Sequence, residues 1–304
     1  MKSNRSASKV QLVGGLGSQL CGYAFGRYLE VERGHRVIFD TSEIDRGITA
    51  HGVSVETLSL PGTFINIRKS AGTLAYWARR VSFALQSRLP DVVSHGLPWH
   101  CFTAIEVGWD PQHSMVPRGT TFRGEFFTTL YFEAIARQGS GFQLNLKAPS
   151  SFYLENRDRL VDSNFLSLHV RRGDYVGLGD RFGLVGRGYF VEAIRTLREF
   201  GSTWSRIVVF SDDIEAARDL LEDALDGESV VFLEPPKGSD DAESMALMTL
   251  AKCHIISNSS FSLWGALLSD SPGEVVAPEP WSKGMKTPNE LLPKSWRRVR
   301  AHFL

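Results

Sequence analysis

Short apolar runs, each closed by a polar or turn cluster, recur through the second half of this chain: Phe165 to Val170, Ile207 to Phe210, Val230 to Leu233, Ile255 to Ser257 and Val275 to Ala277. Mainly apolar runs of this length, flanked by polar or turn residues, read as buried strands. Amphipathic segments lie between them. One spans Tyr189 to Phe200, a second places Ile214, Ala217, Leu221 and Ala224 on one face, and a third, Ala242 to Lys252, carries Met245, Met248 and Leu250. Strands alternating with helices at this spacing predict right-handed βαβ units around a parallel sheet, and therefore a doubly wound α/β domain over residues 149–285.

The first half opens in the same way. Val10 to Val13 predicts a strand, Gly14-Gly15-Leu16-Gly17 a tight turn, Ser18 to Glu30 a helix with Ser18 as its N-cap, and Val37 to Phe39 a second strand. Residues 50 to 145 are rich in aromatics and proline and show no clear period. Within them Ala75 to Leu85 reads as a basic amphipathic helix, for which core packing with a solvated arginine face is preferred over membrane contact. Lys147-Ala148-Pro149-Ser150 punctuates a boundary that separates a domain of residues 1–148 from the second one, with residues 286–304 as a tail packing back on the first domain.

Composition narrows the partners. The 304 residues fit two domains, and 34 basic against 34 acidic residues leave no global field to attract nucleic acid. Any positive patch must be local. Three widely spaced cysteines, Cys21, Cys101 and Cys253, form neither a disulfide framework nor a thiolate metal site, which favours a reducing compartment. The first residues lack the apolar segment of a signal peptide, and no stretch approaches the ~20 apolar residues of a membrane span. The expectation is a cytoplasmic protein, with surface contact at a membrane left open.

The strongest chemical signal is the strand that ends in His169-Val170-Arg171-Arg172-Gly173-Asp174. In an open α/β sheet ligands bind at the carboxyl ends of strands, and two guanidinium groups delivered there form a cationic cup for an anion. Strand alternation puts His169 and Arg171 on one face and Arg172 on the other, so the arginines diverge into different roles. The planar fork of arginine suits phosphate or carboxylate, while the plainer alternative is an ion pair with Asp174 that orders the loop. The next strand ends in Ser211-Asp212-Asp213. Two adjacent carboxylates there can hold a divalent metal or contact a ribose or base, and Asp213 can cap the following helix; capping plus ligand contact is preferred over metal.

A third strand runs into Asn258-Ser259-Ser260-Phe261, a nest of hydroxyls and N–H groups suited to phosphate, or else a simple helix cap. The Gly15-x-Gly17 turn fails the dinucleotide fingerprint, because Leu20 stands where the third glycine belongs. It keeps only the general anion or hydroxyl affinity of a helix N-terminus.

Three blocks carry a family likeness: Gly14-Gly15-Leu16-Gly17-Ser18-Gln19-Leu20 with Tyr23 to Leu29; His169-Val170-Arg171-Arg172-Gly173-Asp174-Tyr175-Val176; and Ile255 to Ser262 with Trp264-Gly265-Ala266. Together they resemble the bacterial α-1,2-fucosyltransferases of glycosyltransferase family 11 over almost the whole chain, the middle from about 50 to 145 matching loosely. The resemblance implies a GT-B-like α/β fold, with two Rossmann-type domains facing across a cleft. It implies inverting transfer of L-fucose from GDP-β-L-fucose to the 2-hydroxyl of a terminal galactose, with no metal and no cofactor beyond the donor substrate. The acceptor would be a galactose-terminated oligosaccharide or glycolipid, which leaves room for peripheral contact at the inner membrane.

Carried over residue by residue, the resemblance implies that Arg171 stabilises the leaving diphosphate, that Arg172 and Asp174 shape the loop, and that His169 lies against the nucleotide. Asp212, Asp213, Asn258, Ser259, Ser260 and Phe261 would contact the donor, and Gly15, Gly17, Ser18 and Gln19 would line the cleft from the first domain. Asp180, following the motif loop, is the candidate base for the acceptor hydroxyl. The chain departs from the family pattern at Ser18, where asparagine is usual, and at Leu263 before Trp264, where the second aromatic of the usual Trp-Trp pair is missing. It departs again at Ser244, where an aspartate is expected, so that the neighbouring Glu243 would have to read the guanine. A non-catalytic GDP-sugar or glycan-binding protein would show the same strand ends, and a metal-dependent transferase would use Asp212 and Asp213.

Overall fold

The structure, a computed structural model, describes residues 7–44, 52–66, 101–103, 108–269, 273–288 and 290–304, with isolated positions 69, 77 and 81. The helix expected over Ala75 to Leu85 falls largely outside the described residues. The chain divides into two compact units, Met1–Gln143 with Pro288–Leu291, and Leu144–Thr287 with Leu292–Leu304. Each has its own parallel sheet, as expected of a GT-B-like chain with two Rossmann-type domains.

Among the described residues the first unit contains β1 (Ser8–Gln11), β2 (Val37–Asp40), β3 (Thr63–Ile65), β4 (Cys101–Thr103) and β5 (Thr121–Arg123), ordered β3-β2-β1-β5-β4. All four pairings are parallel. The helix Leu16–Arg33 crosses from β1 to β2 and buries Leu16, Leu20, Tyr23, Ala24, Phe25 and Leu29. It starts two residues before the expected Ser18, because its N-cap is Gly15 in an extended conformation without a side-chain cap. Gly26 lets this helix lie close on the sheet, since a β-carbon there would strike the Phe39 ring.

The aromatics that look aperiodic in sequence converge on one nest. Phe25 stacks on Phe126 at 3.9 Å and meets Phe122 and Tyr131 edge-on at 5.1 and 5.0 Å. Such contacts are indifferent to sequence period because they come from two helices, a strand and a loop.

In the second unit the strands are β6 (Phe165–Val170), β7 (Arg206–Ser211), β8 (Val230–Phe232), β9 (Cys253–Ile255), β10 (Val275–Glu279) and β11 (Arg297–Arg300). Their order, β8-β7-β6-β9-β10-β11, is the doubly wound 3-2-1-4-5-6 arrangement. β6 is central and buried at all six positions. Leu166, Leu168 and Val170 pack with Tyr189, Phe190, Ala193 and Leu197 of the helix Arg187–Glu199. Phe165 packs on the opposite side with Leu247 and Met248 of the helix Asp241–Met248. Burying each large apolar side chain is worth roughly 1.5–3 kcal/mol, and the two polar residues of the strand, Ser167 and His169, are buried with them.

The tail corrects the sequence expectation. Only Pro288–Leu291 joins the first unit, where Leu291 O accepts from Thr129 N. Residues 297–300 instead become β11, paired in parallel with β10 from Val276↔Arg297 to Glu279↔Arg300. The polar pattern Arg297-Arg298-Val299-Arg300 hides the strand, since only Val299 is fully buried. Among the described residues no helix is long and apolar enough to cross a membrane.

Candidate functional site

The strand order of the second unit reverses between β6 and β9, and the crevice at such a switch point, outside the carboxyl ends of the strands, is where α/β sheets take ligands. β6 delivers His169 and the two arginines to it. β9 delivers Ser257, Asn258 and Ser259, followed by the helix Ser260–Leu267. The two sides are joined across the switch point: His169 Nδ1 and Ser257 Oγ share a hydrogen bond of 2.7 Å. Phe261 packs against the imidazole with ring centres 5.4 Å apart. Burial, and then the positive charge of Arg171, push the His169 pKa down to about 3, so the ring is neutral under physiological conditions.

The arginines separate as strand alternation requires. Arg172 is 5% exposed and turns inward, its Nη2 donating to Val185 O at 3.0 Å and its Nη1 to Arg171 O at 3.2 Å. Burial draws its pKa below the usual arginine range, opposed by Asp212 and Asp213. It holds the loop from inside. Arg171 keeps 14% of its side chain exposed at the strand end, with Nη1 3.0 Å from Asp212 Oδ2 and its guanidinium 5.2 Å from the Tyr175 ring centre.

Asp212 is the brace of this loop. Besides meeting Arg171, its Oδ1 accepts from the backbone N–H of Arg172 at 2.8 Å. Gly173 makes room for it: its φ is +20°, and a β-carbon there would fall on Asp212 Oδ2. Asp213 caps the helix Ile214–Leu221 by accepting from Ala216 N at 3.0 Å. The two adjacent carboxylates therefore diverge, one to the arginine loop and one to a helix end. Among the described residues no group of three His, Cys, Asp or Glu converges as metal ligands do.

Asn258 is also a structural hub. Its Nδ2 donates to Phe182 O and Gly183 O at 3.0 and 3.1 Å, and its own carbonyl accepts from Tyr175 Oη at 3.3 Å. Ser259 caps the Ser260–Leu267 helix by accepting from Phe261 N, and Ser260, half-buried, opens that helix. The remaining residues expected at the site are placed as follows. Asp174 lies in the 3-10 turn Gly173–Leu178, and Asp180 is exposed on the short helix Gly179–Phe182.

Glu243 requires a correction. Its carboxylate is 4% exposed and is held by Ser150, whose N–H and hydroxyl donate to it at 2.6 and 2.7 Å, while the same Ser150 hydroxyl caps the helix Ser151–Leu160. It fastens one helix to another, buried and with both oxygens engaged, and is not presented as an open carboxylate.

The glycine-rich turn of the first unit differs from its expectation as well. Gln19 is fully buried, its Nε2 donating to Gly14 O and Gly52 O at 2.8 and 2.9 Å while its Oε1 accepts from Val55 N at 3.1 Å. It braces the 52–55 segment instead of lining a cleft. Gly17 is buried in the first turn of the helix, and Gly15 and Ser18 are half-buried. Sequence reasoning missed Tyr175, Phe182 and Ser257. Tyr175 is signalled only by following Gly173-Asp174 and Ser257 only by ending the run of two isoleucines, and nothing local signals Phe182.

A family model for glycosyl transferase family 11 matches residues 155–298, which contain the whole crevice. An alpha-1,2-colitosyltransferase from Escherichia coli is 29% identical, over 95% of this chain and 98% of that protein. The O-antigen biosynthesis glycosyltransferase WbnK, also from E. coli, is 30% identical over 51% of this chain and 52% of that protein. Among solved structures, the fucosyltransferase NodZ from Bradyrhizobium superposes with a TM-score of 0.48 at 14% identity, covering 93% of this chain and 98% of NodZ.

Proposed function

We propose, from the match of the glycosyl transferase family 11 model to residues 155–298 and the likeness to the two E. coli glycosyltransferases, that the chain transfers a 6-deoxy-L-hexosyl group from a GDP-linked donor to the 2-hydroxyl of a terminal β-galactoside, with inversion. The observation that carries this reading is Arg171 at the carboxyl end of β6, fixed beside the switch point by Asp212. A diphosphate leaving group gathers negative charge as its bond to the sugar breaks. A guanidinium already oriented in a crevice can meet that charge with little reorganisation.

In the step itself the acceptor oxygen attacks the anomeric carbon as the carbon–oxygen bond to phosphate breaks. The electron pair leaves with the diphosphate, toward Arg171. The acceptor proton passes to a base, for which Asp180 is the proposed group, and the departing phosphate is the alternative acceptor. Half-buried Phe261, packed on the neutral ring of His169, offers an apolar wall to the nucleotide, and the helix opening at Ser260 offers N–H groups to phosphate. The reading asks for no metal, since the arginine supplies the positive charge.

The donor sugar is L-fucose in this proposal. The colitosyltransferase relative raises colitose, which is L-fucose without its 3-hydroxyl, as the competing donor. The acceptor is a galactose-terminated oligosaccharide or glycolipid. Incubation with GDP-fucose or GDP-colitose and a panel of β-galactosides, followed by GDP release and mass-spectrometric linkage analysis, tests all three choices. An α-1,2-linked product is expected. Donor binding without transfer to any acceptor would make the chain a binding protein, and activity abolished by EDTA and restored by Mn²⁺ would replace the arginine mechanism by a metal-dependent one.

A further inference from the structure

The donor reading makes Arg171 useful only if its guanidinium is aimed before the donor arrives. Asp212 restrains one edge of it, through Nη1 at 3.0 Å. The face is controlled elsewhere, by the ring of Tyr175, whose centre lies 5.2 Å from Arg171 Cζ.

The geometry points to Tyr175 as the positioning residue for Arg171, held from the opposite side of the switch point. Its hydroxyl donates to the carbonyl of Asn258, and its ring stacks on Phe182 at 4.9 Å with a 17° tilt. The Asn258 side chain in turn donates to the carbonyls of Phe182 and Gly183. One buried asparagine from the loop after β9 thus fixes both the hydroxyl end of Tyr175 and the backbone behind its stacking partner. Edge and face of the guanidinium are set by different strands, Asp212 following β7 and Tyr175 answering to β9. This rests on the proposed donor site, and it adds that Tyr175 acts on the reaction only through Arg171.

A double-mutant cycle tests it. Tyr175→Leu is expected to lower kcat for transfer about 10- to 100-fold, the scale of a misplaced catalytic group, with the GDP dissociation constant changed less than about threefold. In an Arg171→Lys background, where the guanidinium plane is gone, the same substitution is expected to cost about twofold or less. Tyr175→Phe keeps the ring and its packing and is expected to lose about threefold, less than the leucine variant.

A kcat within twofold of wild type for Tyr175→Leu, or a full and additive loss in the Arg171→Lys background, would overturn the proposal. The Nε–Hε resonance of Arg171, assigned by its disappearance in Arg171→Lys, gives a readout that needs no donor. It is expected to be ordered in the wild-type chain and averaged in Tyr175→Leu, and an unchanged resonance overturns the assignment. If the wild-type protein fails to bind GDP, the donor reading fails, and this resonance still decides what Tyr175 does.

Discussion

Two loops of this molecule occupy equivalent places and do opposite things. Each follows the strand at the centre of a parallel sheet where the order reverses, β1 in the first unit and β6 in the second, and each leads toward a helix. After β1 the chain turns through glycines, and Gln19 folds under the turn to satisfy three backbone groups. After β6 the chain places Arg171 at the surface of the crevice and surrounds it with Asp212 and Tyr175. Topology offers a ligand position at both, and side chains decide whether it is sealed or charged. The resemblance to a family joins both loops in one motif set, whereas the structure divides them into a brace and a candidate site.

The comparison breaks most readily at Arg171. Arg171→Ala is expected to cut transfer at least about 100-fold, as removal of a transition-state hydrogen-bond donor does, while circular dichroism and the melting transition stay near wild type. Retention of a tenth of the activity would remove the arginine from the mechanism. Next comes Gly173→Ala, which puts a β-carbon where Asp212 Oδ2 sits. Displacing the brace is expected to lower kcat about tenfold or more with little change in overall stability, and an unaffected kcat would show that Asp212 does not aim the arginine.

The first-unit loop answers to a different measurement. Gln19→Ala leaves buried backbone partners unsatisfied and is expected to lower stability by about 2–4 kcal/mol, read by denaturant unfolding, with kcat/KM preserved below the transition. A loss of donor or acceptor affinity without a loss of stability would return Gln19 to the cleft it was expected to line. The smallest effect concerns pH. His169 and His254 are both buried with pKa values near 3, lowered chiefly by desolvation. Because the unfolded state protonates first, each contributes stability that is complete above about pH 6.5 and is lost as the pH falls from there toward 3. His254→Gln is expected to flatten the fall by about 1.4 kcal/mol per pH unit between pH 6 and 4, measured as urea midpoints, and an unchanged slope would contradict a neutral buried imidazole.

Much of the second unit is legible in sequence because its inner strands β6, β7, β9 and β10 are buried on both faces. β6 runs over the expected residues, and the apolar cores of β7, β8 and β10 lie within a residue of expectation, while β9 starts earlier, at Cys253. The three-residue strands β3, β4 and β5 are not legible, since three residues carry no period. β11 is not legible because an edge strand of arginines looks like a tail. At the site, the contrast between Arg171 and Arg172 follows from alternation alone, and the cap at Asp213 from an aspartate standing just before an amphipathic helix. The engagement of Glu243 by Ser150, of Asn258 by Phe182 and Gly183, and of Gly173 by Asp212 joins residues 39 to 93 positions apart, and nothing local announces such pairs.

The sequence by itself determined the βαβ alternation, the central strand and the delivery of cationic groups to its carboxyl end, because these depend on the period of hydrophobicity and on where it stops. Tertiary structure decided which polar residues face the crevice and which are consumed in holding it together. A carboxylate or an amide reads the same in either role, and only the partner that the fold brings to it, a guanidinium, a backbone carbonyl or a serine hydroxyl, separates a ligand contact from a brace.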